Sequence, residues 1–234
     1  MSEYRVAAKS LQKQVKYRFR RAHDTAATRA DLMTAAAELF GERGFDGVRV
    51  EQIARRARVN KAMISYHFGG KQGLYTAILE ELFAAINAEM EVLRGSPETA
   101  DQLLRDFVAI IAAHSHRHPG FPAMLLREVM SGGPHIPDSM LPRFLAVFQA
   151  VRGIVEKGVR EGTFRPVDPI LTHLTVLGSL MFFFATNPMR VRMHSAGKLP
   201  PGVELPTPES FVVHIQELMA RGLSAEPPRG SSRR

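Results

Sequence analysis

The sequence has no cysteine. Disulfides and thiolate metal sites are therefore excluded, any metal would have to use His, Asp or Glu, and the composition fits a reducing cytoplasm. The first stretch lacks the apolar core of a signal peptide, because Arg5, Lys9, Lys13, Lys16, Arg18, Arg20 and Arg21 interrupt it throughout. Long hydrophobic runs are missing as well. The longest, Ile170 to Ala185, reads ILTHLTVLGSLMFFFA; it falls short of the roughly 20 residues that span a bilayer and contains Thr, His and Ser. A buried helix is expected there, with no membrane partner and a cytoplasmic location. The motifs of common catalysts are also absent. There is no G-x-S-x-G elbow, and Gly70-Lys71 lacks both the upstream glycine and the following Ser or Thr of a phosphate loop. No enzyme and no cofactor are expected.

What is present is an ordinary globular composition with an uneven charge. The chain has 234 residues, 45% of them hydrophobic, enough for one or two domains with a real core. Its formal net charge is +8. From Met1 to Lys71 there are 15 Lys or Arg against 7 Asp or Glu, whereas the remainder carries 16 of each. All of the positive excess thus lies in the first third, the footprint of a polyanion-binding module, since each neutralised phosphate releases counterions. Residues 1–24 have no acid between Arg5 and His23. They read either as a solvated flexible arm or as one that tracks phosphates or a minor groove.

Thr28 and Asp31 form a helix-start pattern, Leu32, Ala36, Leu39 and Phe40 share one face, and Gly44 supplies the stop. A second helix is predicted over Val50 to Ala57, with Val50, Ile53, Ala54 and Ala57 inward. Arg58-Val59-Asn60 is then a tight turn in which Val59 plugs the core and Asn60 caps the next helix. The third helix, Lys61 to His67, turns Ile64 and Phe68 inward and leaves Lys61, Ala62, Met63, Ser65, Tyr66 and His67 for the outer surface. Two short helices, a tight turn and a polar outer face make a helix-turn-helix reader of a DNA groove.

Four ordered pieces carry a family resemblance: AELFGERGFDG, VEQIARRARV, NKAMISYHF and GGKQGLY. Together, from Ala30 to about Leu82, they resemble the N-terminal domain of the tetracycline-repressor (TetR/AcrR) family of bacterial transcription regulators. The resemblance implies an all-α fold of about nine helices: a three-helix DNA-binding domain and a larger helical domain for ligand binding and dimerisation. It implies a homodimer on a palindromic double-stranded operator and a small-molecule inducer, here unidentified. The boundaries expected are a basic arm at 1–24, the DNA-binding domain at 25–71, the larger domain at 72–223 and a disordered tail at 224–234. Carried onto this sequence, the family's DNA-binding positions are Arg49, Arg58, Asn60, Lys61, Met63, Tyr66, His67 and Lys71. For Tyr66 and His67 the other reading is packing against the first and fourth helices, and for Lys71 a solvated helix start. Two residues depart from the family pattern. Arg58 replaces a usual turn glycine, at about 1 kcal/mol if the turn is left-handed, so a reshaped turn is one expectation; Arg49 replaces a capping Ser or Thr.

Further helices are predicted over Gln72 to about Leu93, Glu98 to Ser115, Phe121 to Met130, Ser139 to Gly162, Pro169 to Ala185 and Pro208 to about Arg221. The segment Met189 to Pro206 reads as a loop. In the long helix from Ser139, the spacing turns Leu141, Phe144, Leu145, Phe148, Val151, Ile154, Val155 and Val159 inward. The resemblance places a dimer interface on the helices from Pro169 and Pro208, through Leu174, Leu177, Met181, Phe182, Phe184, Phe211, Ile215 and Leu218; a wholly internal helix is the alternative. It also makes Phe83, Met90, Phe107, Met124, Met130, Phe144 and Phe148 candidates to line a ligand pocket, though Met and aromatics at this spacing also suit a plain core. His114, His116 and His118 suggest a metal only if the helix has ended there, since alternate helical residues point about 200° apart. A polar helix terminus is the plainer reading. An architectural DNA binder, with the arm as its main element, is the rival to a specific regulator.

Overall fold

The computed structural model describes residues 25–225, so the basic arm and residues 226–234 lie outside the described part. The described residues are helical with short connections. They form α1 (25–43), α2 (Val50–Ala57), α3 (Ala62–Phe68), α4 (Lys71–Gly95), α5 (Ala100–Arg117) and α6 (Gly120–Met130). A single 3-10 turn (Asp138–Met140) then leads into α7 (Leu141–Arg160), followed by α8 (Pro169–Ala185), α9 (Asn187–Ser195) and α10 (Pro208–Leu223). The all-α expectation holds, with ten α-helices among the described residues where about nine were expected.

The chain divides into two compact units, one ending at Ala77 and the other beginning at Ile78. The first turns of α4 therefore belong with α1 to α3. The reason is packing: Leu74 and Tyr75 are fully buried together with Leu32, Ala36, Phe40, Ile53 and Ile64. The Tyr75 ring meets Phe40 edge-on at 5.1 Å and Phe45 at 5.2 Å. Gly44 ends α1 as predicted, taking φ 72° while its amide donates to the Phe40 carbonyl at 2.8 Å.

In the second unit, α8 packs on α5, α6 and α7, and α10 packs on α5. The helix starts follow local chemistry. The Asp168 carboxylate accepts the Ile170 amide at 2.8 Å ahead of Pro169, and the Thr207 hydroxyl accepts the Ser210 amide at 3.1 Å ahead of Pro208. Gly158 lets the Phe164 ring pass against α7, since a Cβ there would lie 2.2 Å from the ring. Phe183 on α8 stacks on Phe211 of α10 at 4.0 Å, and Gln216 Nε2 donates to the Arg105 carbonyl at 2.9 Å.

Several expectations give way here. The predicted loop after Met189 begins with a helix, α9: Pro188 sits in its first turn, where a missing amide costs nothing. It escaped the periodicity argument because it has no buried face. Leu141, Leu145 and Val159, predicted inward on α7, are exposed. Val59 is only half-buried. Ser224, assigned to a disordered tail, forms an isolated antiparallel bridge with Phe164, reinforced by the Ala225 amide donating to the Thr163 carbonyl at 3.0 Å.

The histidine stretch is also different. Helix α5 runs on to Arg117, so His114 and His118 share a face and His116 does not. His114 is buried and its Nε2 pairs with the Glu89 carboxylate at 2.9 Å. Among the described residues no group of three His, Asp or Glu is placed to hold a metal. No single described helix is long and apolar enough to cross a membrane; α8 and α9 pass that test only as a pair bent by 44°.

Candidate nucleic-acid interface

The turn between α2 and α3 keeps a left-handed residue despite lacking a glycine. Arg58 has φ 56° and ψ 36°, the one positive φ of a non-glycine among the described residues. Its amide donates to the Arg55 carbonyl at 3.2 Å, while the Val59 amide donates to the Ala54 carbonyl at 3.0 Å. These two bonds form a Schellman ending. The expectation of a reshaped turn is thereby corrected: the two bonds and the packing beneath them hold the geometry, and arginine carries the strain. Arg58→Gly is expected to raise stability by about 0.5 kcal/mol, the left-handed strain of about 1 kcal/mol being partly offset by a freer unfolded chain. Urea unfolding of the two proteins measures this.

Asn60, predicted to cap α3, lies one residue ahead of its N-cap, Lys61, and its Oδ1 accepts the amide of the first helical residue, Ala62, at 2.9 Å. Ile64 is then buried, and Lys61, Ala62, Ser65 and Tyr66 are exposed, with Met63 half-buried beside them. Tyr66 is 74% exposed, which removes the alternative that it packs against the first and fourth helices. His67 divides between the two readings. Its ring is half-buried, edge-on to Tyr66 at 4.9 Å, and its Nε2 is buried without a hydrogen-bond partner.

Arg49 precedes α2 with its side chain exposed. An arginine cannot accept the amides that a Ser or Thr would accept. Gln52 supplies half of the missing cap, its Oε1 accepting the Arg49 amide at 2.8 Å. Arg56 turns away from this face and joins α2 to α1 through Glu38 at 3.0 Å and Glu42 at 3.3 Å. Three arginines of the segment, 49, 55 and 58, remain exposed around the turn and the head of α2.

Lys71 is placed differently from either sequence reading. Its ammonium donates to the carbonyls of Phe45 at 2.9 Å and Val48 at 3.0 Å and lies 4.1 Å from the Phe45 ring centre. It therefore fastens the α1–α2 connection that presents Arg49, with two of its three donors used inside the fold. The sequence pattern concealed this because those carbonyls lie 23 and 26 residues away.

Gly73 is the second position on which the reader depends. A Cβ there would lie 1.8 Å from the Phe68 carbonyl oxygen, so α4 approaches the end of α3 at backbone distance. Gly73→Ala is expected to destabilise the first unit by about 2–4 kcal/mol, because backbone, not a flexible side chain, has to move. A lowered thermal midpoint with loss of DNA binding is the result to measure.

In the second unit, Phe83 meets Phe144 at 4.3 Å and Phe121 at 6.1 Å, and Phe148 meets His173 edge-on at 5.5 Å. Of the other pocket candidates, Met90, Phe107 and Met124 are buried. Met130 is 79% exposed, so it does not share their interior. Sequence reasoning missed two polar residues here. Asn87 donates to the Arg143 carbonyl at 3.3 Å but leaves its Oδ1 buried and unpartnered, and the half-buried His173 leaves its Nδ1 likewise. Burial holds the His173 imidazole below its usual pKa, and hence neutral near pH 7. Isolated polar residues on an apolar periodicity give no sign of lacking a partner until the tertiary packing is known.

The interface candidates divide by exposure. Leu174 at 59%, Phe182 at 64% and Leu218 at 54% are exposed apolar side chains. Leu177, Met181 and Phe211 are half-buried. Phe184 and Ile215 are buried within the unit, which corrects their assignment to a surface that meets a partner. Ile170 and Leu171 extend the apolar exposure along α8, and Val213 adds to it on α10.

Comparison with known proteins supplies the context. Residues 32–78 match the family described as bacterial regulatory proteins of the tetR family, and residues 101–199 match the tetracyclin repressor-like C-terminal domain. The HTH-type transcriptional repressor NicS of Pseudomonas putida is 32% identical over 206 residues, which cover 87% of this chain and 95% of that protein. The HTH-type transcriptional regulator RutR of Escherichia coli is 26% identical over 157 residues, 66% of this chain and 73% of the relative. Among solved structures, the ketosteroid transcriptional regulator KstR2 of Mycobacterium tuberculosis superposes with a TM-score of 0.67 at 19% identity, over 85% of this chain and 95% of that one. The regulator PfmR of Thermus thermophilus does so with a TM-score of 0.63 at 23% identity, over 82% and 98%.

Proposed function

The chain belongs to the tetR family of bacterial regulatory proteins, a family of DNA-binding transcription factors and not of enzymes, and from that premise we propose that it is a cytoplasmic repressor. In this reading two copies bind a palindromic operator in double-stranded DNA and are released by a small-molecule inducer. The observation that carries the DNA half is the outer face of α3. Lys61 and Tyr66 project from it while Ile64 anchors it, and exposed arginines surround it. Arg49, Arg58, Asn60, Lys61, Met63, Tyr66 and His67 form the proposed contact set, with Lys71 as the residue that positions their loop. Repression, as opposed to activation, is favoured by the likeness to NicS, a transcriptional repressor.

A dimer is supported by the exposed apolar side chains of α8 and α10, which are costly to leave in water and suited to a second copy. Two readers related by a twofold axis match a palindrome. The inducer site is proposed among Phe83, Phe107, Phe144 and Phe148, with Asn87 and His173 offering the hydrogen bonds that orient a ligand. A ligand there acts on the reader through α4, the helix shared by both units. It needs to favour the released form only ~100-fold, about 2.7 kcal/mol, to weaken operator binding substantially.

Footprinting on the DNA flanking its own gene tests this reading. A protected region with dyad symmetry supports it. Uniform protection of any sequence, lost mainly when residues 1–21 are deleted, would instead identify an architectural DNA binder.

A further inference from the structure

An acid stands among the exposed cations at the head of α2. Glu51 lies in the first turn of α2, and its carboxylate is 3.4 Å from the Lys61 ammonium at the head of α3. Arg49 lies two residues before it, and all three side chains are exposed. The amino end of a helix offers free amides and positive potential, and a flanking Arg and Lys complete the surroundings that attract a phosphate. Here the protein has placed its own anion in those surroundings. The amide at the head of α2, Lys61 and Arg49 together hold the Glu51 carboxyl below the usual carboxylate range, so it is ionised wherever the protein meets DNA.

We propose that Glu51 is a built-in competitor for the DNA backbone: from the first turn of α2 its carboxylate engages Lys61, and a phosphate must displace it. The proposal rests on the reading of this face as the DNA interface. Its consequence falls most heavily on non-operator DNA, where backbone contacts supply essentially all of the affinity. An operator complex adds contacts to base edges, which a carboxylate beside α2 does not remove. Glu51 thereby holds down occupancy of bulk DNA, a repulsive element of the kind that specificity requires. Glu38 and Glu42 do not serve this purpose, since they are joined to Arg56 on the side facing α1.

The test uses the full chain and a random-sequence duplex over a range of salt. Glu51→Gln, nearly isosteric, is expected to bind about fivefold more tightly at low salt, with a salt slope steeper by about 1.8, the equivalent of one added phosphate contact in each of the two readers. Glu51→Ala should move both quantities the same way, and circular dichroism with thermal melting verifies that each variant is folded. In a Lys61→Gln background the gain from Glu51→Gln should shrink below about twofold. Unchanged affinity and slope in folded variants would overturn the proposal, as would weaker binding, which would make Glu51 a contact. The full gain persisting without Lys61 would overturn it too, leaving only a general charge effect. If neither the parent protein nor the folded variants bind the duplex at any salt, the DNA reading of this face falls, and the proposal with it.

Discussion

Lys61→Ala combined with Tyr66→Ala is expected to lower operator affinity by about 1000-fold while leaving the protein folded. Both side chains project from the outer face of α3 and neither supports the core, which rests on Ile64, Ile53 and Phe40. Surface substitutions of this kind normally change stability by less than about 0.5 kcal/mol. Each lost contact to a base edge or phosphate costs about 1–3 kcal/mol, and a twofold-symmetric complex loses each one twice. Gel-shift titration on the footprinted operator, with thermal melts of both proteins, separates recognition from folding. An affinity within tenfold of the parent at equal stability would mean that α3 is not the reading element.

The second large effect concerns the apolar face of α8. Leu174→Asp with Phe182→Asp places two charges on a surface that is exposed in one copy and, in the proposed dimer, would be desolvated. Light scattering should then report the mass of one 26.0 kDa chain. Operator affinity should fall by about 10²–10⁴, the usual advantage of joining two binding modules. Helical content should persist, because the interior side of α8 uses Val176, Leu180 and Phe183. A variant that remains dimeric would place the interface elsewhere. One that unfolds would show that this face is needed within the protomer.

The two variants test parts of the chain that differed in legibility. The reader was open to sequence reasoning because its logic is local. Asn60 accepts the first amide of the helix two residues on, Ile64 is the inward residue of a short helix, and Gly44 ends α1 one residue after its last turn. Each of these depends on neighbours within a few positions, so spacing and residue type suffice. The second unit was legible only as a series of helices. Periodicity placed α8 between its observed bounds, yet it did not reveal that Phe184 is covered and Phe182 is not. Nearly all of that helix is apolar, and an all-round apolar pattern carries no orientation.

The sequence by itself determined the class of this protein. A basic first third, two short helices joined by a tight turn, and a helical remainder without catalytic motifs lead to a DNA-binding regulator. Only the tertiary structure decided what individual residues do. Lys71 fastens a loop through carbonyls more than twenty residues away, and Glu51 meets Lys61 across the turn. Arg58 keeps a left-handed backbone that its side chain alone would not select, and Met130 faces solvent. The physical reason is common to all of them. Helix formation is governed by neighbours along the chain, whereas a hydrogen bond, an ion pair or a buried face is completed by whichever distant segment the packing brings alongside.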